Sequence, residues 1–254
     1  MRLSQQRLED LYANHTLPLV FGHRGAMAYA PMNTLAAFEL AAQQGSHGIE
    51  LDVWLSADDA LVVIHDFEVN HTTNGEGRVG SMSLAEIKAL DAGSWFSPEF
   101  AGTQIPTLDE VFETVGKKVF VNVEIKSVSM DNQTIVQRVS ETIERHHMAE
   151  RVIVSSFNPL AIWQMRRANP NLPLGYLDAS ENPLLLKLAR YAPLYEAWHA
   201  QHTQVTPQSA RHKRPIHTWT VNEPEEAKRL RDLRVKAIIT DKPDVILAAL
   251  AERP

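Results

Sequence analysis

Four short runs carry acidic, basic and imidazole side chains at spacings that suit one site: Gly22-His23-Arg24-Gly25, Glu50-Leu51-Asp52, Val63-Ile64-His65-Asp66 and Glu124-Ile125-Lys126. Side chains two apart in a strand point to the same face, so Glu50 shares a face with Asp52, and Glu124 with Lys126. If both pairs point into one mouth, three carboxylates converge and repel, which raises their pKa values. A hard divalent cation relieves that repulsion, and oxygen ligands suit Mg2+ or Ca2+. Taken singly, most strand carboxylates are only halves of inter-strand salt bridges, here to Arg24 or Lys126. Their collection at strand ends favours one cation held by Glu50, Asp52 and Glu124.

Of the 11 histidines, His15, His71, His146, His147, His202 and His212 sit in polar contexts that suggest no role. His23 and His65 fall beside the carboxylates, and imidazoles suit proton transfer near neutrality. With Arg24 and Lys126 as cationic donors, the set suits a phosphate ester: cations stabilise charge on phosphoryl oxygens while the histidines move protons. Trp219 is read as an apolar wall for the substrate, with a core position as the alternative. Asn222 is read as a helix cap.

These residues need elements that bring them to one place. Strands are expected at 18–22, 48–53, 118–124, 151–155, 172–177, 195–199, 215–219 and 236–240, and helices at 33–45, 107–116, 131–147, 159–168, 182–190, 207–213, 223–232 and 242–251. Asn33-Thr34, the group Asn222, Pro224 and Glu225, and the group Asp241, Pro243 and Asp244 are start signals for three of these helices. Strands alternating with helices imply a parallel sheet, and at 254 residues a closed (β/α)8 TIM-type barrel leads over an open doubly wound sheet. No glycine-rich nucleotide loop follows the first strand, which counts against the open sheet. Barrel active sites lie at the C-terminal strand ends, where the polar residues collect.

Two stretches break the alternation. Residues 54–65 leave no room for a helix and read as a hairpin turning at Asp58-Asp59, which pairs Asp52 with His65 and Glu50 with Phe67. Residues 67–105 are too long for a simple loop and read as an inserted cap, so the expectation is one barrel domain over 1–254 carrying that cap.

The chain has no cysteine, which excludes disulfides, thiolate metal sites and cysteine nucleophiles. Its formal net charge of -6, with both signs mixed along the chain, offers no basic stripe for nucleic acid. No apolar run approaches the roughly 20 residues of a membrane span. The opening MRLSQQRLEDLYANH is too charged for the apolar core of a signal peptide. A cytoplasmic protein is the expectation; the sequence does not specify an oligomeric state.

At these residues the chain resembles the glycerophosphodiester phosphodiesterase family. The matching elements are His23-Arg24-Gly25, Asn33-Thr34, Glu50-Leu51-Asp52, Val63-Ile64-His65-Asp66, Ile105-Pro106-Thr107-Leu108, Glu124-Ile125-Lys126, Ser156-Phe157 and Trp219-Thr220-Val221-Asn222. As an ordered set they are specific. The resemblance implies a barrel with an inserted cap, metal ligands Glu50, Asp52 and Glu124, an acid–base pair His23 and His65, and phosphate-binding Arg24 and Lys126. It implies one divalent cation, Mg2+ before Ca2+ or Mn2+, and cleavage of a small-molecule glycerophosphodiester to sn-glycerol 3-phosphate and an alcohol. Attack by water and attack by the substrate's own glycerol hydroxyl both fit. The chain departs from the family's Pro-Glu-Asn-Thr, having Pro31-Met32-Asn33-Thr34, and has His71 where Arg often precedes the Thr-Thr pair. A thioether is a poor ligand for a hard cation. Two rivals are a cyclising phospholipase of related barrel form, which the mostly polar cap disfavours, and a non-enzymatic ligand-binding barrel, which the histidine pair disfavours.

Overall fold

The computed structural model describes residues 2–127, 129–211 and 213–252. Its strands are β1 (Leu19–His23), β2 (Gly48–Leu55), β3 (Leu61–Val63), β4 (Phe120–Ile125), β5 (Val152–Ser156), β6 (Leu174–Asp178), β7 (Ala197–Gln201), β8 (Ile216–Trp219) and β9 (Ala237–Thr240). The parallel strands run β1-β2-β4-β5-β6-β7-β8-β9, and β9 pairs back onto β1, closing an eight-stranded barrel. The β-branched runs suit strands buried on both faces, with helices outside and packed side chains within.

The helices are α1 (Leu3–Tyr12), α2 (Leu35–Gln43), α3 (Leu84–Lys88), α4 (Leu108–Val111), α5 (Gln133–Arg145), α6 (Pro159–Ala168), α7 (Leu184–Ala189), α8 (Pro224–Asp232) and α9 (Pro243–Ala251). Their starts follow local chemistry. The Thr34 hydroxyl accepts the Ala37 N–H at 3.3 Å, and proline opens α6, α8 and α9, where its missing N–H goes unused. α5 buries Ile135, Val136, Val139 and Ile143, one face at helical spacing. Among the described residues, no helix is long and apolar enough to cross a membrane.

Several expectations need correction. The stretch 207–213 forms only a 3-10 turn at Ser209–Arg211 among its described residues, and His212 lies outside them. The last part of the helix expected over 107–116 is π-helical, Phe112–Gly116. α1 was not foreseen, because its polar residues outnumber its apolar ones. Its Leu8, Leu11 and Tyr12 recur at i, i+3 and i+4 and pack with the inward-facing Leu19, Phe21, Ile153, Ala197, Ala237 and Ile239. That cluster closes the N-terminal end of the barrel.

The hairpin turns one residue differently. Val53 pairs with Val63 and Leu55 with Leu61, so partners sum to 116 and Asp52 faces Ile64, whose N–H donates to the Asp52 carbonyl. The loop has three residues, Ala57 to Asp59: a turn closed by Asp59 N–H to Ser56 O, then Asp59 at φ 60. A type I turn followed by a left-handed residue is the common three-residue connection, and Asp tolerates that conformation. Glu50 does not face Phe67; it lies between His23 of β1 and Asn122 of β4.

Beyond β3, residues 67–105 fold over a small core of Val62, Ile64, Val69, Val79, Ile87, Ala92 and Ile105. Inside the segment, the Asp91 carboxylate accepts N–H groups from Gly93, Ser94 and Gly102, which pins the loop around it. Trp95, Phe96 and Phe100 form two edge-to-face pairs there.

Candidate active site

Strand alternation puts Glu50, Asp52 and Glu124 inside the C-terminal half of the barrel. All three are buried, and one oxygen from each lies within 4.8 Å of the others. Asp52 is the most engaged. Lys126 Nζ lies 3.1 Å from it, Arg24 Nε 3.4 Å, and the Asn33 amide donates to it at 2.9 Å. Burial alone would raise its pKa, but Lys126 and Arg24 outweigh that and hold it below the usual carboxylate range. Burial, reinforced by the charges of Asp52 and Glu124, pushes Glu50 well up. Glu124 is raised to about 7 by burial, although Lys126 Nζ sits 2.6 Å away. Lys126 is in turn held above its usual range: burial lowers it, but Asp52 and Glu124 more than compensate. Two buried carboxylates that resist ionisation beside a third that is ionised fit a hard divalent cation, which favours the charged form of all three.

The loop after β1 shapes the next layer. Arg24 and Asn33 adopt left-handed backbone at φ 51 and 58, and the Asn33 N–H donates to the Arg24 carbonyl. Between them Gly25, at φ 85, lies so close to α2 that a Cβ would sit 2.5 Å from the Ala37 backbone. This packing turns the Arg24 N–H onto Glu50 Oε2 at 3.1 Å. The guanidinium Nη1 lies 3.3 Å from Met32 Sδ.

Each of the two histidines is oriented by a carboxylate. His23 Nδ1 donates to Asp241 Oδ1 at 2.6 Å, and His65 Nδ1 to Asp66 Oδ1 at 2.7 Å, with the other oxygen of Asp66 taken by His71 at 2.9 Å. In both, Nε2 is the nitrogen left for a substrate. Burial lowers both pKa values; the Asp241 hydrogen bond opposes this for His23, and the charge of Asp52 for His65.

His23, Arg24, Glu50, His65, Glu124, Lys126 and Trp219 line one cavity of about 60 Å³ together with Asn122, Phe157, Leu177 and Ile239. The Trp219 indole donates to the His199 carbonyl at 3.1 Å, and its ring meets Phe157 edge-on at 5.5 Å. His65 arrives by continuing past β3, not by standing opposite Asp52.

Asn222 is not a helix cap. The residue before α8 is Glu223, and Asn222 instead donates to Asp241 Oδ2 at 2.5 Å and accepts the Asp241 N–H at 2.9 Å. Asp241 likewise does not cap α9, whose preceding residue is Lys242. Asn222, Asp241 and His23 form a chain across β8, β9 and β1 that only barrel closure creates. Asn33 was read only as part of a helix start signal, whereas its amide donates to Asp52, and Asn122 was given no role from sequence. Asn122 was legible by parity, two residues before Glu124 on the same face. His71, His146 and His202, which suggested no partner, pair with Asp66, Asp109 and Glu226.

Residues 23–245 match the model of the Glycerophosphoryl diester phosphodiesterase family. A glycerophosphodiester phosphodiesterase of Caldanaerobacter subterraneus subsp. tengcongensis is 40% identical over 236 residues, 90% of this chain and 96% of the relative. One from Bacillus altitudinis is 35% identical over 233 residues, 89% of this chain and 95% of the relative. Among solved structures, an Oleispira antarctica phosphodiesterase in complex with the product sn-glycerol-3-phosphate superimposes with a TM-score of 0.85 at 29% identity, covering 95% of this chain and 99% of that one. A glycerophosphodiester phosphodiesterase from Agrobacterium tumefaciens gives 0.76 at 28% identity, covering 91% and 100%.

Proposed function

The chain belongs to the glycerophosphoryl diester phosphodiesterase family, and from that premise we propose that it hydrolyses glycerophosphodiesters to sn-glycerol 3-phosphate and an alcohol, with one divalent cation at Glu50, Asp52 and Glu124 and with His23 and His65 moving the protons. The observation that carries the reading is the buried carboxylate triad sharing a cavity with two carboxylate-oriented histidines and two cations. Mg2+ suits the all-oxygen site best, with Ca2+ or Mn2+ as substitutes. Bound there, the cation stabilises charge on the phosphoryl oxygens.

Arg24 and Lys126 take the remaining phosphoryl charge from the mouth side. One histidine accepts a proton through Nε2 as the new P–O bond forms, either from an attacking water or from the substrate's own glycerol hydroxyl, in which case a water opens the resulting cyclic phosphate in a second step. The other gives its Nε2 proton to the departing alcohol oxygen as the old P–O bond breaks. Asp241 and Asp66 fix the tautomers that this requires and stabilise the protonated rings. Trp219 and Phe157 form an apolar wall. Residues 67–105 act as the cap of a single barrel domain, bringing His71 onto Asp66 beside the mouth.

The test is turnover of glycerophosphocholine, glycerophosphoethanolamine and glycerophosphoglycerol with Mg2+, Mn2+ or Ca2+, detecting sn-glycerol 3-phosphate enzymatically. Release that needs added metal and stops with EDTA is expected. No release from any of the three with any metal refutes the reading.

A further inference from the structure

Asn122 is 2% exposed, and neither its amide nitrogen nor its oxygen has a hydrogen-bond partner among the described residues. A buried primary amide left wholly unsatisfied is costly and rare, and calls for an explanation. Ser155 Oγ and both ring nitrogens of His199 are also unpartnered inside the barrel, but those residues do not line the active-site cavity. Asn122 does, between Glu50, its register partner, and Glu124, two residues further along β4.

Its position fixes which part of a ligand it meets. A strand rises roughly 3.3 Å per residue and barrel strands tilt by about 36°, so Asn122 lies roughly 5 Å deeper than Glu124. Beside it on β5 stands its register partner Ile153, and toward the N-terminal end the barrel is filled by Leu19, Phe21 and the apolar face of α1, so the cavity is closed on that side. Leu177 and Ile239 supply apolar wall to the same cavity. With a phosphoryl group held by Arg24 and Lys126 as proposed above, one substituent would point toward this closed end of the cavity and the other toward the mouth. A metal ion would use only the amide oxygen and leave the N–H donors unpaired. A hydroxyl both donates and accepts, and so satisfies both ends of the amide.

We infer that Asn122 is the residue that reads the glycerol end of the substrate, binding its free hydroxyls at the closed floor while the variable alcohol leaves through the mouth. The inference rests on the proposed glycerophosphodiesterase reading. It assigns Asn122 a specificity role, with its contribution confined to ligands that carry hydroxyls.

The experiment compares binding of sn-glycerol 3-phosphate and n-propyl phosphate, which has the same carbon count and phosphate but no hydroxyl. Titration calorimetry is run with Mg2+ and again in EDTA, on wild type, Asn122→Leu and Asn122→Ala. Wild type should prefer glycerol 3-phosphate by at least about 30-fold. Both variants should weaken glycerol 3-phosphate by about 10-fold or more and n-propyl phosphate by less than about 3-fold, with and without the metal. Asn122→Leu, which removes two unpaired buried polar atoms, should melt no lower than wild type without ligand. Equal weakening of both ligands, retained preference in the variants, or no preference in wild type overturns the inference. Failure of the underlying reading shows separately, as wild-type protein that releases no glycerol 3-phosphate from any glycerophosphodiester.

Discussion

Replacing Glu124 by Gln should invert the protein's response to metal. Burial, with Lys126 opposing and Asp52 reinforcing, raises Glu124 from 4.5 to about 7 in the folded chain. A carboxyl raised on folding favours the folded state fully below its unfolded pKa and loses that contribution as pH rises through the folded value. The gap between 4.5 and about 7, at about 1.4 kcal/mol per pH unit, makes the ionised Glu124 cost about 3 kcal/mol above pH 7 when no cation is bound. Gln keeps the shape without the charge. In EDTA at about pH 8, Glu124→Gln should therefore be more stable than wild type by up to about 3 kcal/mol, or roughly 6–10 °C in melting temperature at this size. Near pH 4.5 the two should melt together. With saturating Mg2+ the order should reverse, because metal binding to the folded state stabilises wild type by RT ln(1 + [M]/Kd) and the variant has lost a charged ligand. Calorimetric melts over pH 4.5–8 with EDTA or Mg2+ give all of these values. A variant that is less stable than wild type in EDTA at high pH, or that gains as much from Mg2+ as wild type does, would refute the argument.

His23→Ala and His65→Ala should each lower kcat by at least about 10²-fold while the protein stays folded, and the double variant should lose far less than the product; a folded His23→Ala protein with near-normal kcat overturns the acid–base assignment. Met32 contacts the Arg24 guanidinium through its sulfur, so Met32→Glu should leave turnover unchanged or raise it by strengthening support around the site. A large loss would show that the site depends on the thioether. His217 is buried and neutral, its pKa lowered to about 3 by burial, and Tyr12 bonds its ring at 2.5 Å. A histidine depressed on folding stabilises the fold above its unfolded pKa near 6.5 and loses that contribution as pH falls, so between about pH 6.5 and 4.5 wild type should lose about 2 kcal/mol that His217→Gln keeps. Urea titrations at the two pH values measure the difference, and equal losses in both proteins would count against it.

What a single strand specifies was legible. Period-two alternation put Glu50 with Asp52 and Glu124 with Lys126 on shared faces, because side-chain direction in a strand is a local property of the backbone. Alternation of strands and helices gave the barrel, since parallel strands need crossovers and the connections here are helical. The His23 and Glu124 runs could be placed at C-terminal strand ends without knowing their neighbours. The errors came where partners are remote or a turn has close alternatives. The hairpin register hinged on whether Asp59 enters the left-handed region, a choice of a few tenths to about 1–2 kcal/mol that the dipeptide alone does not fix. α1 has too few apolar residues to signal a helix, and what holds it is the open end of a barrel formed by residues far along the chain. Asn222 and Asp241 looked like caps because each precedes a proline-opened helix. Closure of β9 onto β1 brings Asp241 to His23, and that long-range hydrogen bond outcompetes the local one. The sequence by itself thus determined which side chains face inward and at which strand ends they lie. Only the closed barrel decided which of them touch, because hydrogen bonds and ion pairs between strands depend on stagger and on the absence of water, and neither is encoded within any one segment.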